Sequence, residues 1–349
     1  MSASLLACGD KNANQTAEEV TSPTEVVQGV AGAESDEVLP EGMYRSELTN
    51  ELIDENLKNQ RPIAAMIDNE SIALPHYGLS KADVVYEMMN SLENGRITRF
   101  MALYKDYESV DQIGSIRSVR PTNVIISAEW NAILCHDGGP FYIDKYLAEP
   151  STDNFSGTFS RVDNGKSREY TEYILPGDMD KNFSNSKVTK EYNSYYPGAH
   201  YQFANEKNPV DLSSNDKALT AKVVDLPFPH NGSYLEYNDK DGLYYYSEYG
   251  KAHVDPGNDN QQLCFKNLLI QSCGYDKLDD NGYLLFNCIG EGGGYYVTNG
   301  KAIEVTWKKA DMTSPTRYYD AAGNEIKLNT GKTYVGFVPV DNWTDLTIE

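Results

Sequence analysis

GSIRSVRPTNVIISAEWNAILCHDGGP, from Gly114 to Pro140, is the stretch on which the fold reading turns. Pro121 suits the first helical position, where a missing N–H costs nothing and φ is preset, and it biases Arg120 to extended geometry. Thr122 to Trp130 therefore reads as a helix. The short apolar run Ile113–Ile116 leads into it as a strand, and Ala132–Cys135 leaves it as a second strand that stops at His136-Asp137-Gly138-Gly139-Pro140.

Working outward, Arg61 to Asn69 reads as a buried strand with a polar end, and Leu74-Pro75-His76-Tyr77-Gly78-Leu79-Ser80 as a loop. Ser80 is placed to cap a short turn ahead of the strand Val84–Met88. Glu93-Asn94-Gly95 signals a hairpin into a strand from Arg96 to Tyr104. Strands alternating with a helix predict an α+β or α/β class, with an N-terminal mixed-sheet layered domain carrying helices. From about Asn215 the pattern changes. Tyr234–Tyr237, Leu243–Ser247 and Tyr295–Val297, with turns at Asn238–Gly242, Thr298–Gly300 and Ala322–Asn324, predict a smaller antiparallel β-rich domain. Gly290-Glu291-Gly292-Gly293-Gly294 lacks the lysine of a phosphate loop and reads as a flexible turn. The resulting division is 1–8, a leader remnant; 9–45, an acidic tether; 46–205, the N-terminal domain; and 206–349, the C-terminal domain.

Composition narrows the function. Fifty-two acidic against 30 basic residues give a formal charge of -22, which repels nucleic acid and argues against binding it. Twenty-six tyrosines against 10 phenylalanines point to strands with one wet face, whose rings can stack on sugars or simply pair across strands. No apolar run is long enough to span a membrane. Leu5-Leu6-Ala7-Cys8-Gly9 instead resembles a lipobox, with Cys8 as the lipidation site and too little sequence ahead of it for a whole signal peptide. The aromatic-poor stretch after it reads as a tether, which would hold a globular body on the extracytoplasmic face of a bacterial cytoplasmic membrane. Of the other cysteines, Cys135 reads as a core residue, while Cys264, Cys273 and Cys288 leave room for one disulfide.

In so acidic a chain, Arg117 and Arg120 beside a helix start stand out. They can fork onto a phosphate or carboxylate with backbone donors completing the shell, or pair internally with Asp68, Glu87 or Glu93. Asp68, Asn69, Ser118, His136 and Asp137 fall at the same strand ends, the edge where open sheets bind ligands. The plain readings of these residues are an Asx cap for Asp68-Asn69, a turn for Asp137-Gly138-Gly139 and a structural hydrogen bond for His136. Arg99, on an otherwise apolar strand, reads as half of a buried ion pair.

These residues carry a resemblance. Arg61-Pro62-Ile63-Ala64, Met66-Ile67-Asp68-Asn69, Ala82-Asp83-Val84-Val85-Tyr86-Glu87, Ile97-Thr98-Arg99-Phe100, Gly114 to Pro121 and His136-Asp137-Gly138-Gly139 look like the YerB family of bacterial lipoproteins. The likeness resumes with Gly250 to Asp255, Lys266 to Ile270, Thr306 to Lys309, Tyr319 to Leu328 and Gly331 to Thr333, covering about residues 58–340. It implies a lipid-anchored, extracytoplasmic, two-part protein of Gram-positive type bacteria without an established activity. A Pro-His-Asn-Leu-Tyr run of that family appears here only as Ser167 to Tyr173, so a histidine is missing. The order of parts is also similar to LytR-CpsA-Psr phosphotransferases, which act on polyprenyl pyrophosphates with magnesium.

Two functions follow. The favoured one is a non-catalytic envelope protein that needs no cofactor, whose Arg-lined cleft (Asp68, Asn69, Arg99, Arg117, Ser118, Arg120, His136, Asp137) binds an anionic cell-wall glycan, lipid head group or envelope protein. The alternative is a phosphotransferase with magnesium held by Asp68 and Asp137.

Overall fold

The computed structural model describes residues 38–93 and 95–349. Cys8, the leader remnant, most of the tether and Asn94 of the hairpin signal lie outside the described residues. The tether expected over residues 9–45 overlaps a folded element at its end, since Met43–Arg45 pairs as a strand with Leu52–Asp54. Tyr44 is buried there, which gives this end of the stretch the apolar contact that its composition otherwise lacks.

The elements that position the sites are strands β1 (Ile63–Asp68), β2 (Val84–Met89) and β3 (Thr98–Tyr104), helix α1 (Pro121–Glu129), and strands β4 (Ile133–His136), β5 (Asp153–Ser156) and β6 (Leu243–Glu248). They are followed by β7 (Asn267–Cys273), β8 (Gly290–Thr298), β9 (Lys301–Lys309) and β10 (Thr333–Pro339). All of these strands except β6 lie in one 11-stranded sheet, in the order β9-β8-β7-β10-β2-β3-β1-β4-β5, with Leu219–Thr220 and Arg317–Tyr319 along β9. Pairing is parallel for β7 with β10, β10 with β2, β1 with β4 and β4 with β5, and antiparallel for the others named in that order.

The sheet therefore runs unbroken from the N-terminal to the C-terminal half, joined where Thr333 to Phe337 lies beside Val84 to Met88. Its central strands are buried throughout and mostly apolar because both faces are covered. On β1, Ile63, Ala65 and Ile67 face a second sheet, packing in one cluster with Leu235, Tyr244, Tyr246 and Phe265. Ala64 and Met66 face the other way and pack with Val124, Ile126 and Trp130 of the α1 segment. That second sheet has six strands, built on β6 and Tyr234–Asn238.

The expected mixed N-terminal sheet and the antiparallel C-terminal pairings are present. The helical layers of an α/β fold are not: beyond α1, the α-helices among the described residues are the short runs Asp144–Leu147 and Asp178–Ser184. Sheet-on-sheet packing covers the face that a helix layer would otherwise take. Ser80 sits inside a 3-10 turn capped by Gly78 rather than capping one. The disulfide is not formed, since Cys264, Cys273 and Cys288 are free thiols, and Cys135 packs in the core.

The glycine-rich run read as a flexible turn is strand β8. Its glycines allow close approach: a Cβ on Gly294 would sit 2.4 Å from the carbonyl oxygen of Ile270, and one on Gly292 would sit 2.7 Å from the Trp307 ring. Gly294→Ala is thus expected to cost about 1–3 kcal/mol through overpacking between β8 and β7. Urea unfolding measures it, and an unchanged midpoint would show that the two strands separate freely.

Candidate functional site

Asp68 closes β1 directly opposite Arg99 of β3, so the alternation of the pleat puts both side chains on the α1 face. The segment after Gly114 runs along the end of β1: Ser115 accepts from Asp68 N, and Arg117 N donates to Met66 O. Arg117 is thereby held over the same carboxylate. Asp68 Oδ2 receives Arg117 Nε at 2.5 Å and Arg99 at 3.3 Å, while its Oδ1 accepts the Glu70 N–H at 2.7 Å. Arg99 also donates to Ser118 O at 3.0 Å, and Arg117 reaches Glu169 at 3.1 Å.

Arg120 differs from its two neighbours. It is the residue before α1, its backbone N–H capped by the Asn123 side chain at 3.0 Å. Its guanidinium lies 3.7 Å from the Tyr283 ring centre and donates to Val119 O, its Nε is buried without a partner, and it joins no ion pair among the described residues. Two guanidinium groups, those of Arg99 and Arg117, thus converge on one buried carboxylate, and Arg120 joins them along one cleft. They line a cleft of about 410 Å³ with Ser118, Asn90 and Tyr283, whose lining also includes the carboxylates Glu70, Glu93 and Asp280. Burial, then the nearby Arg99 charge, lowers Arg120 to about 10, so it keeps its charge at neutral pH. Burial opposes the charge on Asp68, but Arg99 and Arg117 outweigh it and hold the carboxyl below the usual range.

The eight candidate residues do not form one cleft. Arg99, Arg117, Ser118 and Arg120 line it, with Asp68 beneath them. Asn69, one residue on, faces the opposite side of the sheet and donates to Thr98 at 2.8 Å. His136 is buried in structural hydrogen bonding, with its ring nitrogens 2.8 Å from Gly138 O and 3.2 Å from Asn154 Oδ1. Asp137 turns toward Arg161 at 2.8 Å, and the same guanidinium holds Glu172 at 2.5 Å. Burial and the hydrogen bond to Asp137 push Glu172 up to about 7. The pair considered for magnesium is accordingly engaged elsewhere: both oxygens of Asp68 are taken by arginines and a backbone N–H, and Asp137 is taken by Arg161.

Behind Asn69, on the face toward the second sheet, lies a polar centre that the sequence reading missed. Glu87 of β2 accepts hydrogen bonds from Thr98 (2.9 Å), Asn231 (2.8 Å), Tyr246 (3.0 Å) and Tyr334 (2.7 Å). Burial, then the charge of Glu248, pushes Glu87 up to about 7. Glu248 bonds Asn231 at 3.1 Å and His253 Nδ1 at 2.7 Å, and the His253 ring lies 5.0 Å from that of His76. In the sequence His76 reads only as part of a loop, and His253 only as part of a motif. Nothing local in either stretch shows that residues 177 positions apart meet.

Residues 48–189 match the profile of the N-terminal domain of the "Protein of unknown function (DUF3048)" family, and residues 224–335 match that of its C-terminal domain. The chain is 25% identical over 315 residues to "Putative lipoprotein YerB" of Bacillus subtilis (strain 168), covering 86% of each chain. The crystal structure of YerB protein from Bacillus subtilis has a similar fold, with a TM-score of 0.71 and 21% identity, covering 88% of this chain and 99% of that one.

Proposed function

The chain belongs to the YerB-like DUF3048 family of two-domain proteins, which carries no assigned activity, and from that premise we propose that it is a non-catalytic lipoprotein binding an anionic envelope ligand in the Arg99, Arg117 and Arg120 cleft. The observation that carries this reading is the buried, unpaired Arg120 in the cleft. Arg99 and Arg117 share Asp68, and Arg117 also reaches Glu169, but Arg120 has an aromatic face and a backbone carbonyl in place of an anion. A phosphate or carboxylate group entering the cleft meets preformed donors, whose ordering cost is already met by their packing.

The anchor is the diacylated Cys8 at the head of the tether, on the extracytoplasmic face of the membrane, with a cell-wall glycan, a lipid head group or an envelope protein supplying the anion. No helix among the described residues is long and apolar enough to cross a membrane.

Titration calorimetry with inorganic phosphate and with a glycerol phosphate polymer tests the cleft. Arg120→Met is expected to weaken binding about 10–100-fold, the worth of a charge-assisted hydrogen bond, and to flatten the dependence of affinity on salt. Equal affinity of the variant and the parent chain for both probes would remove the cleft from consideration.

A further inference from the structure

We propose that His76, Glu248 and His253 form a buried binding site for a divalent transition-metal ion of the zinc type. Their donor atoms lie within 4.8 Å of one another, and all three residues are buried. In tetrahedral zinc sites, bonds of about 2.0–2.2 Å to nitrogen and oxygen put neighbouring ligand atoms about 3.4 Å apart. Small side-chain rotations bring this trio to that spacing. The 2.7 Å contact from His253 Nδ1 to Glu248 Oε1 is then replaced by two bonds to the ion.

Three observations point to a cation rather than a merely packed cluster. Both ring nitrogens of His76 and Nε2 of His253 are buried without a hydrogen-bond partner of ordinary geometry, although His76 is fully enclosed. An unpartnered buried nitrogen carries a desolvation cost of about 1–3 kcal/mol, and a metal bond to one ring nitrogen of His76 would offset it there. Next, Glu248 and Glu87 are both buried, share Asn231 and Tyr246 as donors, and neither pairs with a lysine or arginine among the described residues. Two neighbouring buried carboxylates with only an imidazole as a basic partner favour a bound cation. Third, the surroundings supply the support that metal ligands require. Glu248 Oε2 is held by Asn231 at 3.1 Å and Tyr246 at 3.4 Å, while the Phe100 ring packs edge-on against both imidazoles.

Imidazole nitrogens select zinc-like ions over magnesium or calcium, which prefer all-oxygen shells. Three protein ligands leave a fourth position open. A cavity of about 250 Å³, bounded by Glu248, His253, Leu74 and Pro75, adjoins the trio and gives an ion a route in and an exchangeable ligand a place to sit. The site stands on the opposite face of the sheet from the arginine cleft: Asp68 points to the cleft, and Asn69 to Thr98 and Glu87 on the other face.

The test uses the full chain stripped with a chelator and titrated with Zn²⁺ alone, followed by calorimetry and by metal analysis after gel filtration, with Co²⁺ as a spectroscopic probe of nitrogen ligation. One retained equivalent, a tetrahedral cobalt spectrum and a raised melting temperature are expected. His76→Ala and His253→Ala should each weaken Zn²⁺ binding more than about 100-fold, beyond the loss typical of supporting residues. His230→Ala, a half-buried histidine outside the trio, should leave binding unchanged. Less than one retained equivalent in the parent chain, or a cobalt spectrum without nitrogen ligation, overturns the proposal even if the alanine variants fail to fold.

Discussion

Lys309→Met is expected to lower the unfolding free energy by about 3–5 kcal/mol at neutral pH, because it strips a buried carboxylate of its main counter-charge. Lys309 Nζ meets Glu129 Oε2 at 2.7 Å with both side chains enclosed, and the same carboxylate accepts from Thr316 Oγ1 at 2.8 Å and lies 3.1 Å from His200. Glu129 ends α1 and Lys309 ends β9, so the pair ties the helix to the far end of the sheet. Burial opposes the charge on Glu129, but Lys309 and then His200 outweigh it and hold the carboxyl at about 2. A depressed carboxyl stabilises the fold above its ordinary value near 4.5 and loses that contribution as the pH falls toward 2. The deficit of the variant should therefore be full at pH 7 and shrink below about pH 4. Urea titrations at both pH values measure it, and an equal deficit at each would mean that the lost stability is packing rather than charge.

Asp68→Ala is expected to cost a similar amount, about 3–5 kcal/mol, since Arg99 would be left buried without a carboxylate. This variant also reports on the cleft. With the internal anion gone, added phosphate should raise its melting temperature by more than it raises that of the parent chain, because the free ion can take the vacated place between Arg99 and Arg117. Thermal scans with and without phosphate decide the matter. A fully stable variant would show that the arginines are solvated well enough to need no partner.

Local chemistry was legible in the sequence, and long-range pairing was not. Pro121 marked the start of α1, Arg99 read correctly as half of a buried ion pair, and Cys135 as core. Each follows from a rule that acts within a few residues. Asn69 was placed with the arginines because it adjoins Asp68, but the two-residue period of a strand sends adjacent side chains to opposite faces. The glycines of β8 read as a turn because their function is to admit Trp307 and the Ile270 carbonyl, neighbours fixed by the sheet. His76, Glu248 and His253 escaped notice for the same reason, as did the parallel seam between β2 and β10.

That seam orders the events of folding. On the side away from β3, Val84 to Met88 finds its neighbour in Thr333 to Phe337, so β2 keeps one open edge until that distant strand has been made. Loop closure across some 250 residues is entropically costly, and contacts of such sequence separation form late and slowly. A nascent chain that stops short of β10 therefore carries two unsatisfied strand edges, β2 and β7, and remains a substrate for chaperones and proteases until its last long strand arrives.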